Sequence, residues 1–341
     1  MRIVVAAPQV PFIRGGAELM AETLVDELRA RGHAADLVTV PFKWYPGTRV
    51  LSQALLWRLV DLDEADGRPI DLVIATKFPS YAVRHPRKVA WVLHQFRQAY
   101  EYDRTDLGQF SESPADRATR RAVERLDRVA LGECRRVFAT SRNVADRLAR
   151  SVDVEAEVLP HPPQKLDYRT DSYDDFVLSV NRVDRAKRID LLIEAAAAEP
   201  GLRVVVAGDG PDRPRLEQLA RDRGLNGRIE FRGRVPDDEL VDLYARCRAV
   251  FYAPLDEDFG MVPYEAFLAE KPVLTTSDAG GPLEVVHDRE TGLVTAPEPA
   301  EIARAALSLD EATARAYGQA GRRLAERVTW DACIERLLSF A

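Results

Sequence analysis

No apolar run in this 341-residue sequence approaches the roughly 20 residues needed to cross a bilayer. The opening MRIVVAAPQVPF holds one arginine and only a strand-length apolar stretch, so it lacks the build of a secretory leader and the chain is expected to be cytoplasmic. Cysteine is scarce. Cys134, Cys247 and Cys333 lie far apart, with no C-x-x-C pair and no Cys/His cluster, which excludes a disulfide framework and a structural zinc site and leaves buried thiols. A basic domain is also lacking: residues 1–163 carry 24 Lys and Arg against 22 Asp and Glu, and the remainder 24 against 33. This balance speaks against a nucleic-acid partner. It leaves a slightly positive first half that allows weak attraction to an anionic surface, and hence peripheral contact with the inner face of a membrane.

What is present suits two α/β domains, since single cores stop growing near ~250–300 residues. Residues that are 46% hydrophobic and 30% charged belong to a globular chain. Short runs rich in Val, Ile and Ala alternate with helical patterns, the signature of βαβ units and parallel sheets. In the first half RIVVAA (2–7), ADLVTV (35–40), DLVIAT (71–76), KVAWVL (88–93) and RRVFAT (135–140) read as strands, with helical periodicity over 17–31. After PHPP the pattern dissolves into QKLDYRTDSYDD, a polar stretch behind two prolines that reads as a linker, 164–175. Alternation restarts with FVLSV (176–180), LRVVVAG (202–208), RIEFRG (228–233), RAVFYAP (248–254) and KPVLTT (271–276); helices are expected near 188–198, 211–223, 237–246 and 262–269. Two consecutive doubly wound, Rossmann-like domains, 1–163 and 176–327, are expected to face an interdomain cleft, with ligands held outside the carboxyl ends of the strands.

The most informative segment is YAPLDEDFGMVPYEAFLAEKPVLTT, 252–276. A strand ends, a Gly-containing loop follows, and a helix is expected to start near Met261 with Pro263 in its first turn, where a missing amide hydrogen does no harm. Free amides at Met261 and Val262 and the positive end of the helix dipole would suit a diphosphate, and Gly260 would let the backbone approach it. Glu257 and Glu265 flank that helix start. A carboxylate beside a diphosphate is repelled by it, so both make sense as acceptors from sugar hydroxyls; each alone reads equally as a surface acid. Compensating cations stand in SVNRVDRAKRIDLLIEA, where Arg182 and Lys187 precede a helix and would stabilise charge growing on a leaving diphosphate without a metal. Read in isolation, they are surface charge on a turn that also holds Arg185 and Arg188.

With EDFGMVPYE followed by EAFLAEKPVL, the chain resembles the retaining glycosyltransferases of family 4, which have the GT-B fold, and the resemblance spans essentially its whole length. EDFGMVPYE is the family's E-x7-E motif, and Arg182 with Lys187 matches its R-x4-K pair. GDGP, with Gly208 and Gly210, is similar to its second Gly loop; RGRVPDDEL, with Arg234 and Val235, is similar to the segment that meets the base. PFIRGGAEL places Gly15 and Gly16 as the Gly loop of the first domain, against the donor phosphate. His94, in WVLHQFRQAY, matches the histidine that reaches the reacting sugar. The resemblance implies a retaining transfer from a UDP- or GDP-linked sugar to a hydroxyl of a glycan, a lipid-linked or a small-molecule acceptor, as in polysaccharide assembly. It puts Glu257 and His94 on the sugar, Glu265 on the ribose and the loop from Phe259 to Val262 on the phosphates, with no cofactor and no metal. It also implies that 328–341 is a last helix crossing back to the first domain. Asn181 departs from the pattern, standing where the family has Gly.

Competing readings stay in view. Asp256-Glu257-Asp258 spells D-x-D, a metal motif of other sugar transferases, although its setting here fits the metal-free scheme. GDGPDR lacks the third glycine of a dinucleotide fingerprint, Arg213 standing in its place. FKWYPGTRVLSQALLWRLVDL, 42–62, mixes aromatics, arginine and leucine and suits either membrane-interface docking or helix packing on a sheet. An epimerase or phosphorylase on the same fold, and a nucleotide-sugar sensor without activity, are the functional alternatives. None of the motif residues offers a carboxylate for a covalent intermediate, which favours attack on the face the leaving group departs from.

Overall fold

The structure of the protein, a computed structural model, describes residues 1–340. It divides into two units, one made of residues 1–164 with the segment from Thr329 onward, the other of residues 165–328.

The first unit runs β1 (Arg2–Gln9), α1 (Gly16–Ala30), β2 (Ala34–Pro41), α2 (Val50–Leu59), a small hairpin of β3 (Glu64–Ala65) and β4 (Arg68–Pro69), then β5 (Leu72–Ala75), β6 (Lys88–Val92), α3 (Pro114–Gly132), β7 (Arg136–Ala139), α4 (Arg142–Val152) and β8 (Glu157–Val158). Its sheet is wholly parallel, in the order β2-β1-β5-β6-β7-β8. Successive strand residues feed opposite faces, as strand geometry requires. Val4, Ala6, Val73, Ala75, Ala90 and Val92 join one core with Val50 and Trp57 of α2, Val123 of α3 and Leu148 of α4. Ile3, Val5, Leu72, Ile74, Val89 and Trp91 join the other, with Met20, Leu24 and Leu28 of α1. Burial on both faces is why these strands read as unbroken apolar runs. Lys88 is the exception inside β6; its buried ammonium donates to the carbonyls of Tyr81, Val83 and Ala130 at 2.7, 2.9 and 3.1 Å, which satisfies all three of its hydrogens.

The second unit runs β9 (Val177–Val180), α5 (Ile189–Ala198), β10 (Val204–Ala207), α6 (Arg213–Asp222), β11 (Ile229–Gly233), α7 (Asp237–Arg246), β12 (Ala249–Phe251), α8 (Val262–Leu268), β13 (Val273–Thr276), β14 (Gly292–Thr295), α9 (Pro299–Ser308) and α10 (Glu311–Ala325). Its parallel order, β11-β10-β9-β12-β13-β14, reverses direction between β9 and β12. Ligands of such sheets bind where the strand order reverses, at the carboxyl ends of those two strands.

Two sequence expectations change here. The segment read as a linker is part of the second unit: Asp171 and Ser172 donate their amides to Ala245, the Tyr173 hydroxyl donates to Glu270 O at 2.9 Å, and Lys271 caps Ser172 O beneath the Tyr173 ring. Its polarity and prolines hid two tyrosines, Tyr168 and Tyr173, that pack inward. The stretch 42–62 contains α2, which buries Val50, Ala54 and Trp57 while leaving Leu55, Leu56 and Leu59 exposed, as are Trp44 and Tyr45 before it, so it packs on the sheet and still shows an apolar face.

The last helix, α11 (Trp330–Leu338), opens on Thr329, whose hydroxyl accepts from the Ala332 amide, and belongs to the first unit. Trp330 meets Trp91 edge-on at 6.1 Å and stacks on His161, while Ile334 and Leu337 are buried in the core of α1. Arg336 forms a two-pronged pair with Glu157 at 2.5 and 2.7 Å. Among the described residues no helix is long and apolar enough to cross a membrane.

Candidate functional site

The site residues of the second unit gather at the carboxyl edge of its sheet. After β9 the chain passes through Asn181, Arg182 and Val183 into a single 3-10 turn, Arg185–Lys187, that leads to α5. Arg182 is exposed and makes no ion pair among the described residues. Lys187 turns inward: its Nζ touches the Glu257 carboxylate, lies 3.4 Å from the Tyr252 hydroxyl, and sits 5.5 Å from the centre of that ring. Burial alone disfavours the ammonium, but Glu257, Tyr252 and Asp184 outweigh it and hold its pKa well above the lysine range. Asp184, half-buried, caps the same turn, and desolvation there raises its carboxyl pKa against the pull of Lys187 and Arg182. Lys187 and Glu257, 70 positions apart, therefore form one unit of charge beside an exposed arginine.

Glu257 rides on the loop after β12. Its amide donates to Ala279 O at 2.8 Å, and Gly281 N donates back to its carbonyl at 2.8 Å, so the loop is fastened to the chain beyond β13. Gly260 has φ +82°, and an added Cβ would lie 2.7 Å from the Tyr252 ring. Glycine is thus required there by the neighbouring aromatic, whatever else approaches the backbone. Phe259 stacks on Tyr264 at 5.1 Å, so its side chain belongs to the core and the loop offers its backbone. Helix α8 starts at Val262, capped by Met261, and is seven residues long; free amides of its first turn, more than a helix dipole, are what this start supplies. Glu265 lies one turn in and accepts from the Tyr244 hydroxyl at 2.7 Å. Burial raises the Glu265 pKa, and the Tyr244 hydrogen bond opposes the rise.

Gly208 and Gly210 are close-approach residues. A Cβ at Gly208 would lie 1.8 Å from Asn181 O, and one at Gly210 2.2 Å from Val183 O. The two glycines let the loop after β10 press its backbone onto the strand end that carries Arg182, with Asn181 N bonded to Ala207 O and Val183 N to Asp209 O, each at 3.1 Å. Asn181, the departure from the pattern, is buried and donates to the Ser179 hydroxyl at 2.9 Å. Arg234 and Val235 follow β11 at the same edge, the arginine exposed and the valine half-buried.

Gly15, Gly16 and His94 lie in the first unit. Gly15 caps α1, but its amide is taken by the Glu18 carboxylate at 2.9 Å, and Glu18 pairs with Lys77 at 2.7 Å. Gly15 and Gly16, expected against the donor phosphate, thus stand at the start of α1, with the Gly15 amide engaged by the Glu18 carboxylate in this structure. His94 follows β6, half-buried, with Nδ1 2.7 Å from Gln95 O. Behind it, the wholly buried Asp127 accepts from Tyr81 and Tyr100 at 2.7 and 2.8 Å, and burial lifts its carboxyl to about 7 against the pull of Tyr81, Tyr100 and Gln95. Tyr252, Tyr244, Asp127 and Arg188 were not foreseen. Their parts depend on contacts across the fold, which spacing along the chain does not show.

Over 99% of its length this chain matches 97% of a sucrose-phosphate synthase from Thermosynechococcus elongatus with a TM-score of 0.79 at 19% identity. It matches 99% of the Anabaena protein HepE, solved with UDP and glucose, with a TM-score of 0.69 at 17% identity. Together with the two parallel-sheet units, these likenesses define the fold as GT-B. Residues 164–324, nearly the whole of the second unit, match the model of the family of glycosyl transferases group 1. A human alpha-1,3/1,6-mannosyltransferase is 29% identical over 199 residues, 52% of this chain; the chain spans about half, 48%, of that relative's length.

Proposed function

We propose that the protein is a glycosyltransferase that moves a sugar, with retained configuration, from a nucleoside diphosphate donor to a hydroxyl acceptor. The observation that carries this reading is the Lys187–Glu257 pair beside exposed Arg182, at the point where the strand order of a unit matching the group 1 family reverses. A donor that binds there offers two things: a diphosphate for the cations and a sugar ring for the carboxylate. Arg182 and Lys187 stabilise the charge that grows on the leaving diphosphate. Glu257 accepts hydrogen bonds from hydroxyls of the transferred sugar, Glu265 from the ribose, and the backbone from Phe259 to Val262, with Gly208 and Gly210 behind Arg182, shapes the phosphate cradle. Arg234 and Val235 flank the base. His94 reaches the reacting sugar from the first unit.

Attack proceeds on the face the diphosphate leaves: the anomeric C–O bond to the phosphate breaks, the acceptor oxygen bonds to that carbon, and the acceptor's proton passes to a departing phosphate oxygen. No metal is needed, because the cations of the Arg182–Lys187 turn do its work; the burial of Asp258 and the engagement of Glu257 by Lys187 support this over a D-x-D site. UDP- and GDP-linked sugars are the donors favoured. The UDP named with HepE supports the first of these. Glycan, lipid-linked and small-molecule acceptors, as in polysaccharide biosynthesis, fit the reading. Exposed Leu55, Leu56 and Leu59, with exposed Trp44 and Tyr45 before them, support weak peripheral contact of the first unit with the inner membrane face.

The test is a panel of UDP-, GDP- and dTDP-sugars screened by thermal shift, followed by assay of nucleotide release with candidate acceptors. A bound donor at 100 times its Kd adds about 2.7 kcal/mol of stability. A donor that stabilises the chain yet never releases nucleotide with any acceptor would make the protein a sensor and end the transferase reading.

A further inference from the structure

Arg188 holds a backbone conformation that its side chain does not favour. Its φ of +49° and ψ of 40° lie in the left-handed region, where Gly or Asn would sit with less strain. All three nitrogens of the guanidinium at this strained position donate. Nε donates to Ala253 O at 2.9 Å, and Nη2 to Pro254 O at 3.2 Å and to the Thr276 hydroxyl at 2.8 Å. Nη1 and Nη2 grip the Asp278 carboxylate with two bonds of 2.7 Å. The same carboxylate accepts from the Thr276 hydroxyl at 2.8 Å, which fixes its orientation.

Three pieces of chain meet at this fork: the turn that carries Lys187, the end of β12 that leads to Glu257, and the end of β13. The backbone repeats the connection. Leu255 N donates to Ala186 O at 2.8 Å, Asp256 N to Asp278 O at 3.0 Å, and Glu257 N to Ala279 O at 2.8 Å. Those three amides belong to the loop that aims the Glu257 carboxylate at Lys187. A paired, bidentate guanidinium is the side chain best suited to hold such a junction, because its planar donors fix direction as well as distance. Strain maintained at a position that neither Gly nor Asn occupies points to a requirement of the site.

We propose that Arg188 is a positioning residue of the donor site, a fork that fixes the Glu257 loop against the Lys187 turn; its catalytic consequence rests on the donor reading above. Arg188→Asn suits the backbone and removes the fork, and Arg188→Lys keeps the charge without the bidentate grip. Hydrogen exchange on the full chain reads the clamp directly. In Arg188→Asn the amides of Leu255, Asp256 and Glu257 should exchange at least about tenfold faster while those of β9 and β10 keep their protection, and Arg188→Lys should fall between. Unchanged exchange at 255–257, or a uniform rise across residues 165–328, would overturn the proposal, the second showing that Arg188 merely maintains the fold. Calorimetric titration with UDP, UDP-glucose, GDP and GDP-mannose reads the consequence. The affinity of Arg188→Asn for the free nucleotide should stay within about twofold of the parent, while the sugar nucleotide loses its advantage over it and kcat falls more than KM rises. If exchange responds locally but the unsubstituted protein binds none of the four, the clamp stands and the donor reading falls.

Discussion

Glu257→Gln keeps the size and shape of the side chain and removes the charge that Lys187 touches. Without donor, Lys187 is occupied by Glu257, so an incoming diphosphate competes with that carboxylate for the ammonium. The two side chains are 13% and 19% exposed, which places the pair between a surface contact worth ~0–1 kcal/mol and a buried pair whose rupture costs ~3–5 kcal/mol. The substitution should therefore destabilise the fold by roughly 1–3 kcal/mol. In turnover, a charged acceptor gives a hydrogen bond of ~1.5–3 kcal/mol where a neutral one gives ~0.5–1.5 kcal/mol. If the bond to the transferred sugar tightens as positive charge develops on its ring, kcat should fall about 5- to 15-fold. A free nucleoside diphosphate has no sugar to lose and finds Lys187 uncontested, so its affinity should hold or rise, by up to about fivefold. Because Lys187 has a raised pKa, the pair is intact below the ordinary lysine value of about 10.4 and fades only above it; the effect should be flat from pH 6 to 9. Steady-state kinetics and calorimetry with UDP and GDP on both proteins measure the two quantities. A variant that binds the nucleotide more weakly while kcat is unchanged would take Glu257 off the sugar and refute the assignment.

Glu265→Ala should behave in the opposite way, weakening nucleoside diphosphate binding by ~1.5–3 kcal/mol and showing mainly in KM, since a ribose contact serves donor and product alike; equal responses from Glu257 and Glu265 variants would remove the basis for separate roles. Turnover should survive excess EDTA, and an activity lost to EDTA and restored by Mg²⁺ or Mn²⁺ would hand the diphosphate to Asp256-Glu257-Asp258. Asp127, whose carboxyl is lifted to about 7 by burial, binds its proton more tightly folded than unfolded, so its contribution to stability declines as pH rises from about 4 to about 7 and is level above. Asp127→Asn should thus gain ~1–4 kcal/mol relative to its parent between pH 4 and pH 8, and a difference independent of pH in urea titrations would contradict the assignment.

The ten strands read from the sequence were legible to within a residue or three at each end because both faces of each sheet are covered: DLVIAT needs only its composition to be read as buried, and Leu72–Ala75 are wholly so, whereas β3, β4, β8 and β14, short or only partly buried, went unread. The chemical residues were legible by spacing, which picked out Arg182, Lys187 and Glu257 on the loops where they lie and Glu265 in the first turn of α8. What spacing could not supply is how they pair. Lys187 read as a free cation for phosphate and is held by an acid 70 positions away. Gly15 read as part of a Gly loop, and spacing did not show that the glutamate three residues on would accept from its amide. Arg188 read as one more charge on a basic turn, because its part depends on a left-handed backbone and on Asp278, 90 positions downstream. Gly260 was singled out for close approach to a diphosphate, and the sequence holds no sign that Tyr252 is the neighbour that excludes a side chain there.

The return of α11 to the first unit bears on how the chain is made. A ribosome emits residues 1–164 first, but Trp330, Ile334 and Leu337, which complete one face of that unit's core, emerge only after all of residues 165–328. During synthesis the surface of Trp91 and the groove beside α1 stay uncovered while the second unit, contiguous in sequence, can close on its own. The unit begun first is thus finished last. A nonsense mutation just before Trp330 would spare every residue of the second unit and leave the first with an exposed apolar seam, a lesion that chaperones and proteases would meet before any loss of nucleotide binding could be measured.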